Sequence, residues 1–170
     1  MNLENAVDHL RRFYDRPGAG VEKLKYVVFP VKPYPVSPGK LLAEELSDME
    51  PIVISLPETL RSQLSEKAWE KLLVNERSGD LEVYVNFLER VLHSKIEDVD
   101  PGKLIILSGL ELLRLIPVNV TGLAVLAREK TVIAPVKGTL EEYQVRVLGV
   151  GPTLAVPPHL PAPIAVEVEL

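Results

Sequence analysis

The sequence predicts an α+β chain, mainly β in its C-terminal part, built as a distorted antiparallel barrel with an N-terminal helix and a helical hairpin insertion. Three observations lead there. Apolar residues recur at helical spacing near the start and again over residues 57–96. After Asp98 the texture changes to short apolar runs, rich in β-branched residues and divided by Pro, Gly and Asn. Finally, 170 residues with 46% hydrophobic and 25% charged side chains suit one globular domain with a real core. The organisation expected is a single domain, 1–170, with the helix in 1–20, the hairpin in 57–96 and the β-rich core in 98–170.

Each element has a local reason. Asn2 precedes Leu3, Ala6, Val7, Leu10 and Phe13, a helical stripe with Asn2 as N-cap, and Arg16-Pro17-Gly18 stops it. Residues 23–29 (KLKYVVF) suit a strand, and Pro30, Pro33, Pro35 and Pro38 behind them predict an edge strand followed by a stiff connector. Residues 52–56 read as another strand. Pro57 then opens a helix through Leu60, Leu64, Ala68, Leu72 and Leu73, tolerated there because the first turn needs no proline N–H. Ser78-Gly79-Asp80 breaks it, and Val83, Tyr84, Phe87, Leu88, Val91 and Leu92 share the face of the second hairpin helix. Strands are expected near 103–107, 110–116, 123–127, 131–134, 143–148, 153–156 and 164–169. The leucines of 110–116 also suit a helical turn, but Ser108-Gly109 and Pro117 at the flanks favour the strand.

Composition excludes several chemistries. With no cysteine, there is neither a disulfide nor a thiolate nucleophile nor a cysteine-ligated metal. A net charge of −5 argues against a broad nucleic-acid footprint or an anionic membrane surface. No apolar run reaches membrane-spanning length and the start MNLENAVDHLRR has no hydrophobic signal core, so a cytoplasmic protein is expected. Fifteen prolines and abundant Val, Leu and Glu would suit a heat-adapted source. His9, His93 and His159 have no metal-binding spacing, and Glu97-Asp98-Val99-Asp100 reads as an acidic linker that can hold Mg²⁺ only alongside a nucleotide. No Walker-type or dinucleotide-binding glycine pattern is evident; Gly149-Val150-Gly151-Pro152 is a turn. Trp69 is a core or interface anchor. Lys23, Lys25, Tyr26, Lys32 and Tyr34 form the one basic-aromatic cluster, read as a solvated edge in preference to a single-strand nucleic-acid platform.

The run DPGKLIILSGLELLRLIPVNVTGLAVLAR, residues 100–128, carries a meander rhythm: Pro101-Gly102, then Leu110-Glu111, then Pro117, then Gly122. The chain's end adds a strand, a Gly turn, a strand, a Pro-rich turn at Pro157-Pro158-His159 and a last strand. On these residues the chain resembles the deoxyuridine triphosphatase (dUTPase) and deoxycytidine triphosphate (dCTP) deaminase superfamily, with a one-residue slip between Glu111 and Pro117. The resemblance implies the β-clip barrel, a homotrimer with shared sites, and a deoxypyrimidine nucleotide as ligand, with Mg²⁺ if that nucleotide is bound. A second PGKL at Pro38–Leu41, followed by Ile52–Pro57, loosely echoes Pro101–Pro117; it is read as a chance repeat of a common turn, with an internal duplication as the alternative.

The superfamily's chemistry is carried poorly. Its Arg followed by two small hydroxyl residues has Arg128 at the matching place, but Glu129 and Lys130 stand in the hydroxyl positions before Thr131. Arg128, Lys130 and Thr131 are therefore the candidate nucleotide-binding residues, and the competing reading is a charged hairpin tip. Residues 134–142 match the hairpin that supplies a water-activating Asp, yet contain no Asp; Glu141 and Glu142 are the only substitutes, and read as solvated charges. Where the deaminase branch carries a proton-transferring Glu, Arg146 stands. No catalytic residue is assigned. The expected function is a divergent dUTPase-like or dCTP deaminase-like protein without standard catalysis, binding nucleotide, regulating or scaffolding. The alternatives are an active dUTP diphosphatase with replaced residues and an unrelated protein-interaction module.

Overall fold

The structure, a computed structural model, describes residues 1–15, 24–31, 37–74, 81–114, 116, 130–142, 144–151, 153–155 and 165–169. Strand β1 (Leu24–Phe29) organises the molecule. All six of its residues are buried, the signature of a strand covered on both faces. It lies between β4 (Thr131–Glu141) and β7 (Ala165–Glu167), parallel to both. The edge-strand expectation fails because the prolines begin only where the ladder has ended.

Beyond β4 lie β3 (Leu104–Ser108) and β2 (Ile52–Ser55), again parallel, giving the order β2-β3-β4-β1-β7. The second half of β4 leaves this array and pairs antiparallel with β5 (Gln144–Val147), which pairs antiparallel with β6 (Thr153–Ala155). The α+β composition therefore holds, and its sheet is open and mixed. The described strands do not close into the expected antiparallel barrel, for a local reason. Residues 110–116, expected as a strand, instead place a 3-10 helix at Leu110–Arg114 with Leu110, Leu112 and Leu113 buried. A helical connection lets β4 return parallel to β3, which a tight hairpin cannot do. The strand expected at 123–127 lies outside the described residues.

Helices cover both faces. α1 (Leu3–Asp15) is capped as expected, with Asn5 N–H donating to Asn2 Oδ1 at 2.9 Å. Together with α2 (Pro38–Glu45) it packs on Val27, Phe29, Leu104, Ile106 and Ile133. The expected hairpin at 57–96 is three helices: α3 (Leu56–Gln63), α4 (Glu66–Val74) and α5 (Leu81–Glu97). The extended Leu64 separates the first two (φ −104, ψ 144). Leu60 of α3 and Leu88, Leu92 and Ile96 of α5 cover the opposite sheet face, against Tyr26, Val28, Ile105, Leu107, Val132 and Ala134, with Trp69 partly buried beside them. Alternate residues of each central strand thus enter opposite cores, as the period of two requires. No helix among the described residues is long and apolar enough to cross a membrane.

Candidate functional site

The described residues among those singled out by sequence do not converge. Arg128 lies outside the described residues. Lys130 is buried, and its Nζ donates to the carbonyl oxygens of Ile96, at 2.5 Å, and Glu97. These are final carbonyls of α5, which have no partner within the helix, so Lys130 closes a helix C-terminus. Thr131 opens β4 beside Leu104. Both residues sit at the N-terminal edge of the parallel strands, whereas open parallel sheets bind ligands beyond the carboxyl ends. Lys130→Met, which keeps the aliphatic stem, is expected to lower stability by about 1.5–3 kcal/mol. Urea titration measures that loss; unchanged stability with impaired nucleotide binding would restore Lys130 as a ligand residue.

The substitute bases are also engaged. Arg146 donates from Nε to Glu141 Oε1 at 2.7 Å and from a terminal nitrogen to Oε2 at 3.0 Å, and Gln144 Nε2 donates to Oε2 at 2.8 Å. The Arg146 hydrogen bonds hold the Glu141 carboxyl below the usual carboxylate range, opposed by desolvation and assisted by Gln144. Glu141 is thus an ionised clasp across the β4–β5 hairpin, and Glu142 is exposed. Of the basic-aromatic cluster, Lys23, Lys32 and Tyr34 lie outside the described residues, and the other two are not on a solvated edge. Lys25 is 2% exposed, with Nζ 3.0 Å from His9 Nε2 and 4.7 Å from the centre of the Phe13 ring, and Tyr26 lies in the core. No cluster of three metal-ligating side chains occurs among the described residues.

A different place has the geometry of a binding site. From β1 the chain passes into α2 on one face and reaches β2 at the far edge; from β2 it returns through α3 to α5 on the other face to β3. The 3-10 helix after β3 packs on that second face as well. The chain therefore leaves β1 and β3 toward opposite faces, the topology that in open parallel sheets favours ligand sites at the carboxyl edge. The first turn of α2 stands there.

That turn is Ser37-Pro38-Gly39-Lys40. Ser37 is extended (φ −61, ψ 126) and its side chain makes no capping bond. Leu41 N–H donates back to Ser37 O at 3.0 Å. The amides of Gly39 and Lys40 precede the first possible intrahelical acceptor, and Pro38 has no N–H. Other helices close this gap themselves: Ser55 Oγ accepts from Glu58 N–H at 3.3 Å on α3, and Ser65 Oγ from Ala68 N–H at 3.2 Å on α4. On α2 the two donors stand at the positive helix end, and the Lys40 side chain is exposed.

The end of β3 supplies the wall. A Cβ on Gly39 would lie 2.3 Å from Ser108 Cβ and 3.2 Å from its Oγ, so only glycine permits this approach of helix to strand. Ser108 is 8% exposed and packs against Gly39. Nearby, Lys137 N–H donates to Glu111 Oε1 at 3.0 Å, holding a half-buried carboxylate at the same edge, since Lys137 pairs with Phe29 at the end of β1.

A strand followed by a helix opening on Gly-Lys is the sequence order of a phosphate-binding strand-loop-helix; residues 32–36 between them lie outside the described residues. Of the pattern Gly-x4-Gly-Lys-Ser/Thr this chain keeps Gly39 and Lys40, with Tyr34 at the first glycine position and Leu41 at the hydroxyl position. The signal lay in the repeated PGKL. Pro38–Leu41 follows a strand and starts a helix, whereas Pro101–Leu104 is a turn into β3, with Gly102 at φ +89. No protein-family model matches the chain, and no curated protein sequence matches it.

Proposed function

We propose that the protein binds a nucleotide through its phosphates at the first turn of α2 and acts in regulation or scaffolding without standard catalysis. The observation that carries this reading is the first turn of α2, where Ser37 makes no capping bond, the Gly39 and Lys40 amides have no acceptor within the helix, and the Lys40 side chain is exposed. The amides are donors and the lysine a positive charge, so an anion with several oxygens satisfies them together. The absence of standard catalysis rests on the substituted residues: Leu41 and Ser108 supply no carboxylate, and Glu141 is held by Arg146.

The experiment is calorimetric titration of the whole chain with ATP and dUTP. Saturable binding is expected, weakened about tenfold, or about 1.4 kcal/mol, in Lys40→Ala. Lys40 is exposed, so the variant should fold normally. Unaltered affinity in this variant would move the site elsewhere, and steady pyrophosphate release would overturn the non-catalytic reading.

The superfamily resemblance adds a second, narrower reading: a divergent dUTPase-like subunit taking a deoxypyrimidine nucleotide, with Mg²⁺, in a homotrimer. The turn at Pro101-Gly102 ahead of β3 is the feature that favours it. Preference for dUTP over ATP and a trimer in light scattering would support it. A monomer that binds both equally would remove it.

A further inference from the structure

We infer that two copies of this chain associate through the outer edge of β2, strand against antiparallel strand, so that one sheet runs through both. The inference is independent of the phosphate reading. Among the described strands β2 ends the order β2-β3-β4-β1-β7, bonded to β3 on one side only. The outward N–H and C=O groups of its four residues have no backbone partner among the described residues. Such a row is a template for another strand.

Natural sheet edges carry guards, and β2 lacks two of the commonest: Ile52, Val53, Ile54 and Ser55 include no charge and no proline. Ile52 is 41% and Val53 47% exposed. Because side chains alternate along a strand, these two lie on opposite faces, and both sides of the edge present apolar surface. The far edge differs. On β7 Glu167 is exposed, and Glu169 just beyond it donates its N–H to Met1 O at 2.6 Å and holds the terminal ammonium at 3.4 Å.

A second copy fits this edge because the pattern is its own complement. Residues directly opposite in an antiparallel pair lie on one face. A two-fold axis normal to the sheet at Val53 sets Val53 opposite Val53 and Ile52 opposite Ile54, and keeps the face covered by α3 and α5 on the same side in both copies. Every apolar side chain of the strand then meets another. A slip by one residue would turn one copy over and is excluded. Pairing uses up this edge on both copies, so growth through it stops at two. Four residues make a small interface, and the dimer is weak and concentration-dependent.

The test is sedimentation of the whole chain between about 5 µM and about 500 µM, the span in which a weak dimer forms and dissociates. A monomer that passes into a dimer as concentration rises is expected. Val53→Lys should weaken dimerisation at least about tenfold with unchanged circular dichroism, whereas Val83→Lys, at the exposed apolar position of α5, should leave it intact. Val53→Glu should also stay monomeric alone, and an equal mixture with Val53→Lys should restore the dimer, since the two side chains meet at the axis. A natural chain that is monomeric throughout, or trimeric, would overturn the inference. So would dimerisation of the Val53→Lys variant as tight as that of the natural chain. A mixture that stays monomeric would overturn the placement of Val53 against its own copy.

Discussion

Phe29→Ala is expected to cost about 3–5 kcal/mol of stability, the range for removing a buried aromatic side chain from a packed interior. Phe29 is 0% exposed and belongs to the core formed with Val7 and Leu10 of α1 and Leu42 and Leu46 of α2. Truncation loses the burial of the ring and leaves a cavity that two helices and a sheet cannot easily collapse. For a chain of this size about 1 kcal/mol moves the melting temperature by roughly 2–4 °C, so a fall of roughly 6–20 °C is expected by calorimetry. Val83→Ala, at a position 65% exposed on α5, is the control and should stay within about 0.5 kcal/mol. The contrast tests the architecture: an edge strand would lose far less from the same truncation. A Phe29→Ala cost as small as that of the control would contradict a central, doubly covered β1.

Gly109→Ala is the second large effect, and two separate causes add in it. Gly109 has φ +79, in the left-handed region where a side chain costs about 1–2 kcal/mol. A Cβ there would also lie 2.3 Å from Cδ and 2.8 Å from Cγ of Pro57, the proline in the first turn of α3. Overpacking of this kind costs about 1–3 kcal/mol. The sum is roughly 2–5 kcal/mol, read by denaturant midpoint. Gly102→Ala separates the causes, because Gly102 has φ +89 and nothing within 4 Å of its would-be Cβ. It should show the conformational part alone. Equal costs at the two positions would mean that the Pro57 contact is relieved by movement of α3.

Much of the element inventory was legible, and the pairing was not. Asn2 announced α1 because capping is local, and the apolar runs at 103–107, 143–148 and 153–156 placed β3, β5 and β6 within a residue or two. Direction of pairing is different, since a four- or five-residue strand looks the same in either orientation. It is set by the connection, and after β3 the flanking Ser108-Gly109 and Pro117 suggest a strand where the chain forms a 3-10 helix. Lys25 misled for a related reason. A lysine in a strand implies water, unless distant groups receive it, and His9 and Phe13 belong to a helix ahead of the strand. The candidate site shows the same limit. One tetrapeptide, PGKL, becomes a helix start at Pro38–Leu41 and a turn at Pro101–Leu104, and only the strand before the first copy gives it a site.

The central claim is that ligand phosphates meet the first turn of α2 at the carboxyl edge of the sheet. The most direct measurement is an amide nitrogen-proton NMR titration of the full chain with ATP in EDTA. Saturable shifts largest at the Gly39 and Lys40 amides and at Ser108 are the predicted result. Shifts confined to Lys130 and Thr131, at the opposite edge, would contradict it.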